Sequence, residues 1–257
     1  MLQNQELLKI APSIGTLHPH EKVSSKYKLI PTIEIVNILR KEGWIPTKVT
    51  EADFRKLDNK GFQKHMIRFQ HPDLILKDEA IEAVLINSHN RSCAYKLMTG
   101  VYRFICANGM VLGDTFDSVR VRHVNFDSQD VIEASYEVLE TAPIVAESIE
   151  EMKDTYLEES EREAYAKSAL HVVYDDPEEA PVKTWQLLSS RRSIDCKPDL
   201  WTTFNTVQEN IIKGGLRGRC KTGKRIKTRP VKAIDRNVRL NRALWTLTEK
   251  MKELKRR

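Results

Sequence analysis

The stretch "AIEAVLINSHNRSCAYKLMTGVYRFICANGMVLGD", residues 80–114, decides the fold of this chain. It holds apolar, β-branched and aromatic runs that are separated by the turn residues "NRSC" and interrupted by Gly100 and by Asn108-Gly109. An Asn-Gly pair between such runs is a strong hairpin signal, because both residues accept the positive φ angles of a tight turn. The pattern therefore predicts consecutive antiparallel strands.

Flanking segments extend this prediction in both directions. Upstream, "PTIEIVNILRKEG" (residues 31–43) has apolar residues in helical register, with Thr32 as its cap and Gly43 at its end. "WIPTKVTE" (44–51) and "KHMIRFQHP" (64–72) alternate apolar and polar residues as half-buried strands do, and "SVRVRHVNF" (118–126) resembles a last strand. Residues 31–128 should thus form a helix followed by an antiparallel meander of four to five strands, after an irregular lead-in over residues 1–30.

Beyond residue 128 the apolar period becomes helical. Residues 130–142 and 144–174 predict long acidic helices, broken or joined at Pro143. "DLWTTFNTVQENIIKGG" predicts a helix that Asp199 caps and that Gly214-Gly215 end, and residues 237–257 predict another. The predicted class is α+β, with residues 129–257 forming a helical region that packs on the sheet as one domain.

Charge is unevenly distributed along the 257 residues. The net charge is +6, yet the segment from Lys213 to the end carries 17 Lys and Arg against 3 acids, so residues 1–212 carry 6 − 14 = −8. Residues 127–179 hold 17 acids against 3 cations. Blocks of this kind repel into disorder or find an opposite partner, which here is the basic segment of the same chain or, if the protein self-associates, of a neighbouring subunit.

A basic loop is predicted between the last two helices. Nine cations and no acid lie in "KGGLRGRCKTGKRIKTRPVK": Lys213, Arg217, Arg219, Lys221, Lys224, Arg225, Lys227, Arg229 and Lys232. One interpretation is a solvated loop that binds no ligand. The alternative is a phosphate-binding surface, because helices with aromatic residues hold both ends and glycines let backbone amides approach an anion. We favour the phosphate-binding surface.

The predicted sheet also mixes cations with aromatic rings. Arg91, Lys96, Tyr102 and Arg103 fall in one short stretch, and single-stranded nucleic acid is bound by cations that follow phosphates and by rings that stack on bases. The aromatic residues equally suit a core. Lys96 and Arg103 are expected to face solvent, where they would meet phosphates.

Several motifs resemble a known family. "NSHNRSCAYKLMTGVYRFICANGMVLGD", "WTTFNTVQENIIKGGLRG", "RPVKAIDRNVRLNRALW", "PTIEIVNILRKEGWIP" and "KHMIRF" are similar to the phage- and plasmid-associated family catalogued as domain of unknown function 932, from about Pro31 to Leu247. The resemblance implies a phage or mobile-element origin in a bacterial host and implies no activity. The order of helix, meander and long helix is also similar to the single-strand annealing proteins of phage recombination, without a shared motif.

Catalytic and targeting signals are absent from the sequence. The seven histidines are dispersed, no hydrolase, zinc-protease or P-loop motif occurs, and the four cysteines never form C-x-x-C. We therefore expect a protein that is not an enzyme and has no metal and no cofactor. No apolar run approaches the roughly 18 residues that span a bilayer, and the first residues lack a signal peptide. A cytoplasmic protein without a membrane partner is expected.

Two functions fit the sequence, beside a structural or regulatory protein whose charges only keep it soluble. The first is a non-enzymatic phage or plasmid protein that binds nucleic acid, favours single-stranded DNA and self-associates, as a recombination annealing protein would. The second is an anti-host-defence protein that binds a host protein through its acidic helices, with Glu158, Glu159, Glu161 and Glu163 on the active face. They differ in which charge binds the partner.

Overall fold

The predicted meander is present as an antiparallel sheet in the computed structural model, which describes residues 1–23, 29, 31–54, 57–90, 92–112, 119–121, 128–174 and 176–256. Its strands are β1 (Ile45–Glu51), β2 (His65–Ile75), β3 (Glu79–Asn87), β4 (Tyr95–Arg103), β5 (Asn108–Val111) and β6 (Val119–Val121). Strands β1 to β5 are neighbours in chain order, and the short β6 pairs with β4. The structure confirms the α+β class and a meander of five strands.

Helix α2 (Thr32–Lys41) precedes the sheet, as the sequence predicts, and buries Ile35, Val36 and Leu39. Thr32 does not cap it. Pro31 occupies the cap position, and the Thr32 hydroxyl lies 2.8 Å from His65 Nε2 and accepts a hydrogen bond from Asn87 Nδ2 at 3.1 Å. Thr32 therefore joins the helix to two strands of the sheet.

The first residues are more ordered than the predicted lead-in. Helix α1 (Asn4–Ile10) is followed by a 3₁₀ turn over Pro12–Gly15. Arg40 of α2 donates to the carbonyl oxygen of Leu2 at 2.6 Å, and the backbone N–H of Ser13 donates to Glu51 Oε2 at 2.8 Å. These contacts tie the first residues to the helix and to the first strand.

Two compact units divide the chain, Met1–Pro143 and Ile144–Arg257. The boundary falls within the long helix α3 (Ser128–Asp154), which continues through Pro143. Of the two alternatives that the sequence left open at this proline, the structure shows the joined helix. The packing of the helical region on the sheet as one domain stays a prediction.

Helices form most of the second unit. Besides the end of α3, they are α4 (Glu159–Val173), α5 (Thr184–Leu188), α6 (Leu200–Lys213) and α7 (Ile234–Lys255). Their core includes the rings of Trp201, Phe204 and Trp245, with centroids 5.6 to 6.3 Å apart. Asp199 caps α6 by accepting a hydrogen bond from the backbone N–H of Thr202 at 2.6 Å, as predicted. Among the helices that the structure describes, none is both long and apolar enough to cross a membrane.

The segment between α6 and α7 is more regular than the predicted loop. It forms a two-stranded antiparallel hairpin of β7 (Arg217–Arg219) and β8 (Arg225–Lys227). Gly214, with φ of 59°, and Gly215, with φ of 87°, turn the chain from α6 into the hairpin. Both backbone conformations favour glycine, which explains the Gly-Gly pair.

Candidate nucleic-acid interface

The hairpin places four cations on one of its faces. In its register Arg217 lies opposite Lys227, Gly218 opposite Ile226, and Arg219 opposite Arg225. Side chains alternate between the two faces of a β-ribbon, so Arg217, Arg219, Arg225 and Lys227 share one face and Gly218 and Ile226 share the other. All four cationic residues are exposed. We call them the four-cation face.

The opposite face of the hairpin is held against the second unit. Arg219 donates its backbone N–H to the carbonyl oxygen of Pro181 at 3.0 Å, and Gln186 of α5 donates to the carbonyl oxygen of Arg217 at 2.7 Å. A Cβ atom on Gly218 would lie 1.7 Å from the Pro181 oxygen, so the two backbones approach as closely as they do only because residue 218 is glycine. The four-cation face is therefore presented from a fixed support.

Further contacts fix the base of the hairpin. Thr228 donates its backbone N–H to the Leu216 carbonyl at 2.8 Å, and Gly215 donates to the Thr228 carbonyl at 2.9 Å. Arg191 donates to Asn210 Oδ1 at 2.8 Å and to the carbonyl oxygen of Gly214 at 2.7 Å, which satisfies the end of α6.

An ion-pair network supports the last turn of α6. Arg192 donates to both Glu209 oxygens, at 2.6 and 2.9 Å, and to Asp195 Oδ2 at 2.6 Å, while Lys213 donates to Glu209 at 2.8 Å. Burial opposes the charge of Glu209, yet the hydrogen bonds from Arg192 and Lys213 hold its pKa below the ordinary value. Lys213 is thus engaged with its own helix rather than with the hairpin.

The nine predicted basic residues divide into two groups. Lys213 pairs with Glu209, and Lys221 at the hairpin tip pairs with Glu179. The other seven are exposed, and no carboxylate of the described chain forms an ion pair with them: Arg217, Arg219, Lys224, Arg225, Lys227, Arg229 and Lys232. These seven are the cations that remain available to an anionic ligand.

The predicted sheet residues are placed differently from one another. Lys96 and Tyr102 lie an even number of residues apart on β4, so they share a face, and both are partly exposed. Arg103 lies on the other face and is only 6% exposed, so its expected exposure to solvent is wrong. Arg91 lies outside the described residues.

The sheet residues and the hairpin cations belong to different compact units. Burial raises the pKa of Tyr102, and the charge of Glu82 raises it further, so its phenol is neutral at pH 7. Four of the predicted residues thus lie together on the hairpin of the second unit, whereas Lys96 and Tyr102 lie together on one face of the sheet in the first unit.

Trp185 is an interface candidate that the sequence analysis missed. It lies on the short helix α5, immediately before the glutamine that binds the Arg217 carbonyl, and it is 66% exposed. An exposed tryptophan on the helix that contacts the cationic hairpin suits base stacking. The sequence feature that could have identified Trp185 is its position between cationic residues, Lys183 on one side and the pair Arg191-Arg192 on the other.

The His, Cys, Asp and Glu side chains bear on a possible metal site. In the part of the chain that the structure describes, no group of three or more of them is arranged to hold a metal ion. The buried histidines instead form hydrogen bonds inside the first unit, where Ser13 Oγ lies 2.8 Å from His65 Nδ1. This cluster is fully buried and offers no access to a substrate.

Known proteins resemble the chain along almost its whole length. Residues 19–245 match the family model described as "Domain of unknown function (DUF932)". The chain is 38% identical over 248 residues to "UPF0380 protein YafZ" and to "UPF0380 protein YfjQ", both of Escherichia coli (strain K12), with 96% of this chain and 90% of each relative covered. No solved structure matches the chain. As the sequence motifs predicted, the chain belongs to the family of the domain of unknown function DUF932.

Proposed function

We propose that this protein binds nucleic acid without catalysing a reaction, and that it favours single-stranded DNA. The observation that carries the proposal is the four-cation face, in which two pairs of like charges lie directly opposite each other on a supported hairpin. Like charges in cross-strand pairs are unfavourable on their own. A row of phosphates on that face removes the repulsion and adds charge-assisted hydrogen bonds.

The preference for single strands rests on a second feature. Trp185 supplies an exposed ring on the helix that contacts the hairpin. Unpaired bases stack on such a ring, whereas bases inside a duplex are already stacked and paired. Phosphate contacts alone would bind either form of DNA.

A salt series tests the proposal. Fluorescence anisotropy would compare labelled single-stranded and duplex DNA of equal length for the wild type and for the variant Arg217→Gln/Arg219→Gln/Arg225→Gln/Lys227→Gln. Each phosphate contact contributes about 0.7 to the salt slope on single strands, so losing four contacts should flatten the slope by roughly 3. The matched control neutralises four exposed cations elsewhere: Lys9→Gln/Lys167→Gln/Arg239→Gln/Lys250→Gln.

The expected result is tight binding with a single-strand preference for the wild type and the control, and weak binding with a shallow slope for the hairpin variant. Equal losses in the two variants would mean that net charge, rather than the hairpin, attracts DNA. No binding by the wild type at low salt would overturn the proposal.

The finer proposal is a role in recombination on phage or plasmid DNA, in which the protein self-associates and anneals complementary strands. Its support is the likeness of element order to annealing proteins and the opposite charges of the acidic and basic segments. Light scattering with and without DNA would measure the self-association, and the pairing of complementary labelled strands would measure annealing. A monomer that binds single strands without pairing them would exclude this role.

A second proposal is interaction with a host protein through the acidic helices. Glu159 and Glu163 are exposed on α4, which favours it. Other acids of the region are engaged within the second unit, because Glu161 pairs with Lys255 and Glu151 pairs with Lys252. The substitutions Glu159→Lys/Glu163→Lys should abolish capture of a host protein under this proposal and should leave DNA binding intact under the first.

A further inference from the structure

A cavity of about 530 Å³ lies behind the hairpin in the second unit. Val173 and Tyr174 at the end of α4, Ile211 of α6 and Ile226 of β8 are among its lining residues. The volume falls within the roughly 300–1,000 Å³ typical of small-ligand sites, and such sites are mostly apolar with a few polar groups that fix orientation. The volume of the cavity and its apolar lining residues therefore suit a small organic group.

Three of the polar residues that line this cavity are cationic, beside the uncharged Asn210 and Thr228. Lys227, Arg229 and Arg236 contribute to its lining, and no carboxylate is present among the described residues that line it. Burial raises the pKa of Tyr174 against the opposing charge of Arg236, so the phenol ring is neutral at pH 7. Apolar walls with one aromatic ring and three cations fit a ligand that joins a planar body to an anionic group.

Lys227 connects this cavity to the hairpin surface. It contributes to the cavity lining and is also a member of the four-cation face. Phosphates bound to the four-cation face and a group bound in the cavity would therefore share Lys227.

We propose that the cavity accepts one unstacked base of the bound single strand, while Lys227, Arg229 and Arg236 bind the phosphates next to that base. This inference rests on the proposed function and names the ligand group at the same site. A base in a duplex would first have to leave its pair and its stack, whereas a single strand presents its bases at little cost. The cavity would thus add to the preference for single strands.

Filling the cavity tests the inference. Val173→Phe and Val231→Phe each place a larger side chain at a half-buried position of the lining. The matched control is His171→Phe, which exchanges an imidazole ring for a phenyl ring at an exposed position of α4 that does not line the cavity. Anisotropy would compare a thymidine strand of about 12 nucleotides, within the span of known single-strand sites, with an abasic strand of the same length and charge.

The wild type and His171→Phe should prefer the base-bearing strand by about tenfold or more. Both cavity variants should lose at least about fivefold of this preference and keep the wild-type affinity for the abasic strand. Cavity variants that melt like the wild type and retain the preference would overturn the inference and leave the proposed function intact. Absence of binding to either strand by the wild type would instead overturn the proposed function.

A second readout uses the wild-type protein and tests whether a base occupies the cavity even if neither cavity variant folds. A strand that carries one 2-aminopurine should show that base shielded from iodide when the protein binds, by about tenfold relative to the free strand if the base occupies the cavity. Full access of iodide to the fluorescent base at every position of a bound strand would overturn the inference.

Discussion

Arg219 and Arg225 lie directly opposite each other across the hairpin, and both side chains are exposed. Cross-strand partners have Cβ atoms about 4.5–5.5 Å apart, so two guanidinium groups at these positions repel each other. Arg217 and Lys227 repeat the arrangement at the other end of the ribbon. Repulsion within these two pairs therefore destabilises the hairpin when no anion is bound.

This cost predicts opposite effects on stability and binding. Arg225→Glu converts the pair with Arg219 from repulsive to attractive, which should stabilise the hairpin by roughly 0.2–1 kcal/mol. The same change should weaken binding to single-stranded DNA, because a carboxylate then meets the phosphates. Amide hydrogen exchange of the hairpin and anisotropy measure the two effects.

Lys167→Glu makes the same charge change at an exposed position of α4 and serves as the control. It should leave hairpin exchange unchanged and lower the affinity only slightly. A hairpin that exchanges faster in Arg225→Glu than in the wild type would contradict the expected relief of repulsion.

The exposed ring of Trp185 predicts a loss of binding without a loss of folding. Trp185→Ala should leave the melting temperature unchanged because the side chain is 66% exposed. It should weaken binding to single strands by about 1–3 kcal/mol if one base stacks on the ring, and should leave duplex binding unchanged. Trp185→Phe should keep most of the affinity.

Ile194→Ala is the control, since Ile194 is another exposed apolar side chain of the second unit, at 52%. Equal weakening by Trp185→Ala and Ile194→Ala would show that the tryptophan is not a specific contact.

The close approach of Gly218 to the Pro181 backbone should be necessary for the stability of the hairpin and for its binding to DNA. Gly218→Ala places a Cβ atom 1.7 Å from a backbone oxygen of Pro181, so the hairpin must move away and lose the bond from the Arg219 N–H. We expect a destabilisation of about 1–3 kcal/mol and a weaker affinity for DNA. Gly223→Asn is the control, because nothing lies near its Cβ and asparagine accepts its φ of 77°. Wild-type binding by Gly218→Ala would show that the support is dispensable.

The sequence predicted the elements whose signals are local. Alternation predicted the strands, Asp199 predicted the start of α6, and the glycine pair at 214 and 215 predicted its end. The Asn108-Gly109 pair was wrong as a turn signal, because both residues lie in β5 and the turn falls on residues 104–107. The prediction that Lys96 and Arg103 both face solvent was wrong, and the two-residue period of a strand already excludes it. The two residues are seven apart, and an odd separation puts side chains on opposite faces of a strand.

Other features depend on residues that are distant in the chain. Thr32 has the local signature of a helix cap, yet it bonds to His65 and Asn87, which only the folded sheet brings near. Trp185 was missed because large apolar residues are usually buried, and sequence alone does not show which one the fold leaves exposed. The four-cation face required the hairpin register, which a basic run does not reveal.

A buried ion pair in the sheet predicts a strongly non-additive mutant cycle. Arg68 Nη1 lies 2.7 Å from Glu82 Oε2, and their side chains are 3% and 0% exposed. Arg68→Met should cost about 3–5 kcal/mol because it leaves the Glu82 carboxylate buried without its partner. Arg68→Met/Glu82→Met should recover much of this loss. Urea unfolding of these two variants and of Glu82→Met completes the cycle, and additive losses would contradict the coupling.

A buried histidine in the same unit links stability to pH. His65 is fully buried, between the hydroxyl groups of Ser13 and Thr32 at 2.8 Å each. Burial, followed by the charge of His89, lowers its pKa from 6.5 to about 3. The unfolded chain therefore binds a proton at this residue near pH 6.5, whereas the folded chain does not bind it until about pH 3.

The free energy of unfolding should consequently fall as the pH drops below 6.5, by up to about 1.4 kcal/mol per pH unit from His65 alone. Above pH 6.5 the residue is neutral in both states and contributes no slope. Urea unfolding between pH 7.5 and 5 measures the effect before most carboxylates titrate. His65→Gln should reduce the slope of the unfolding free energy against pH by about 1.4 kcal/mol per pH unit, the contribution of one proton. His18→Gln, at an exposed histidine, should not change the slope. Equal slopes in the wild type and His65→Gln would show that His65 binds its proton over the same pH range in the folded and the unfolded protein.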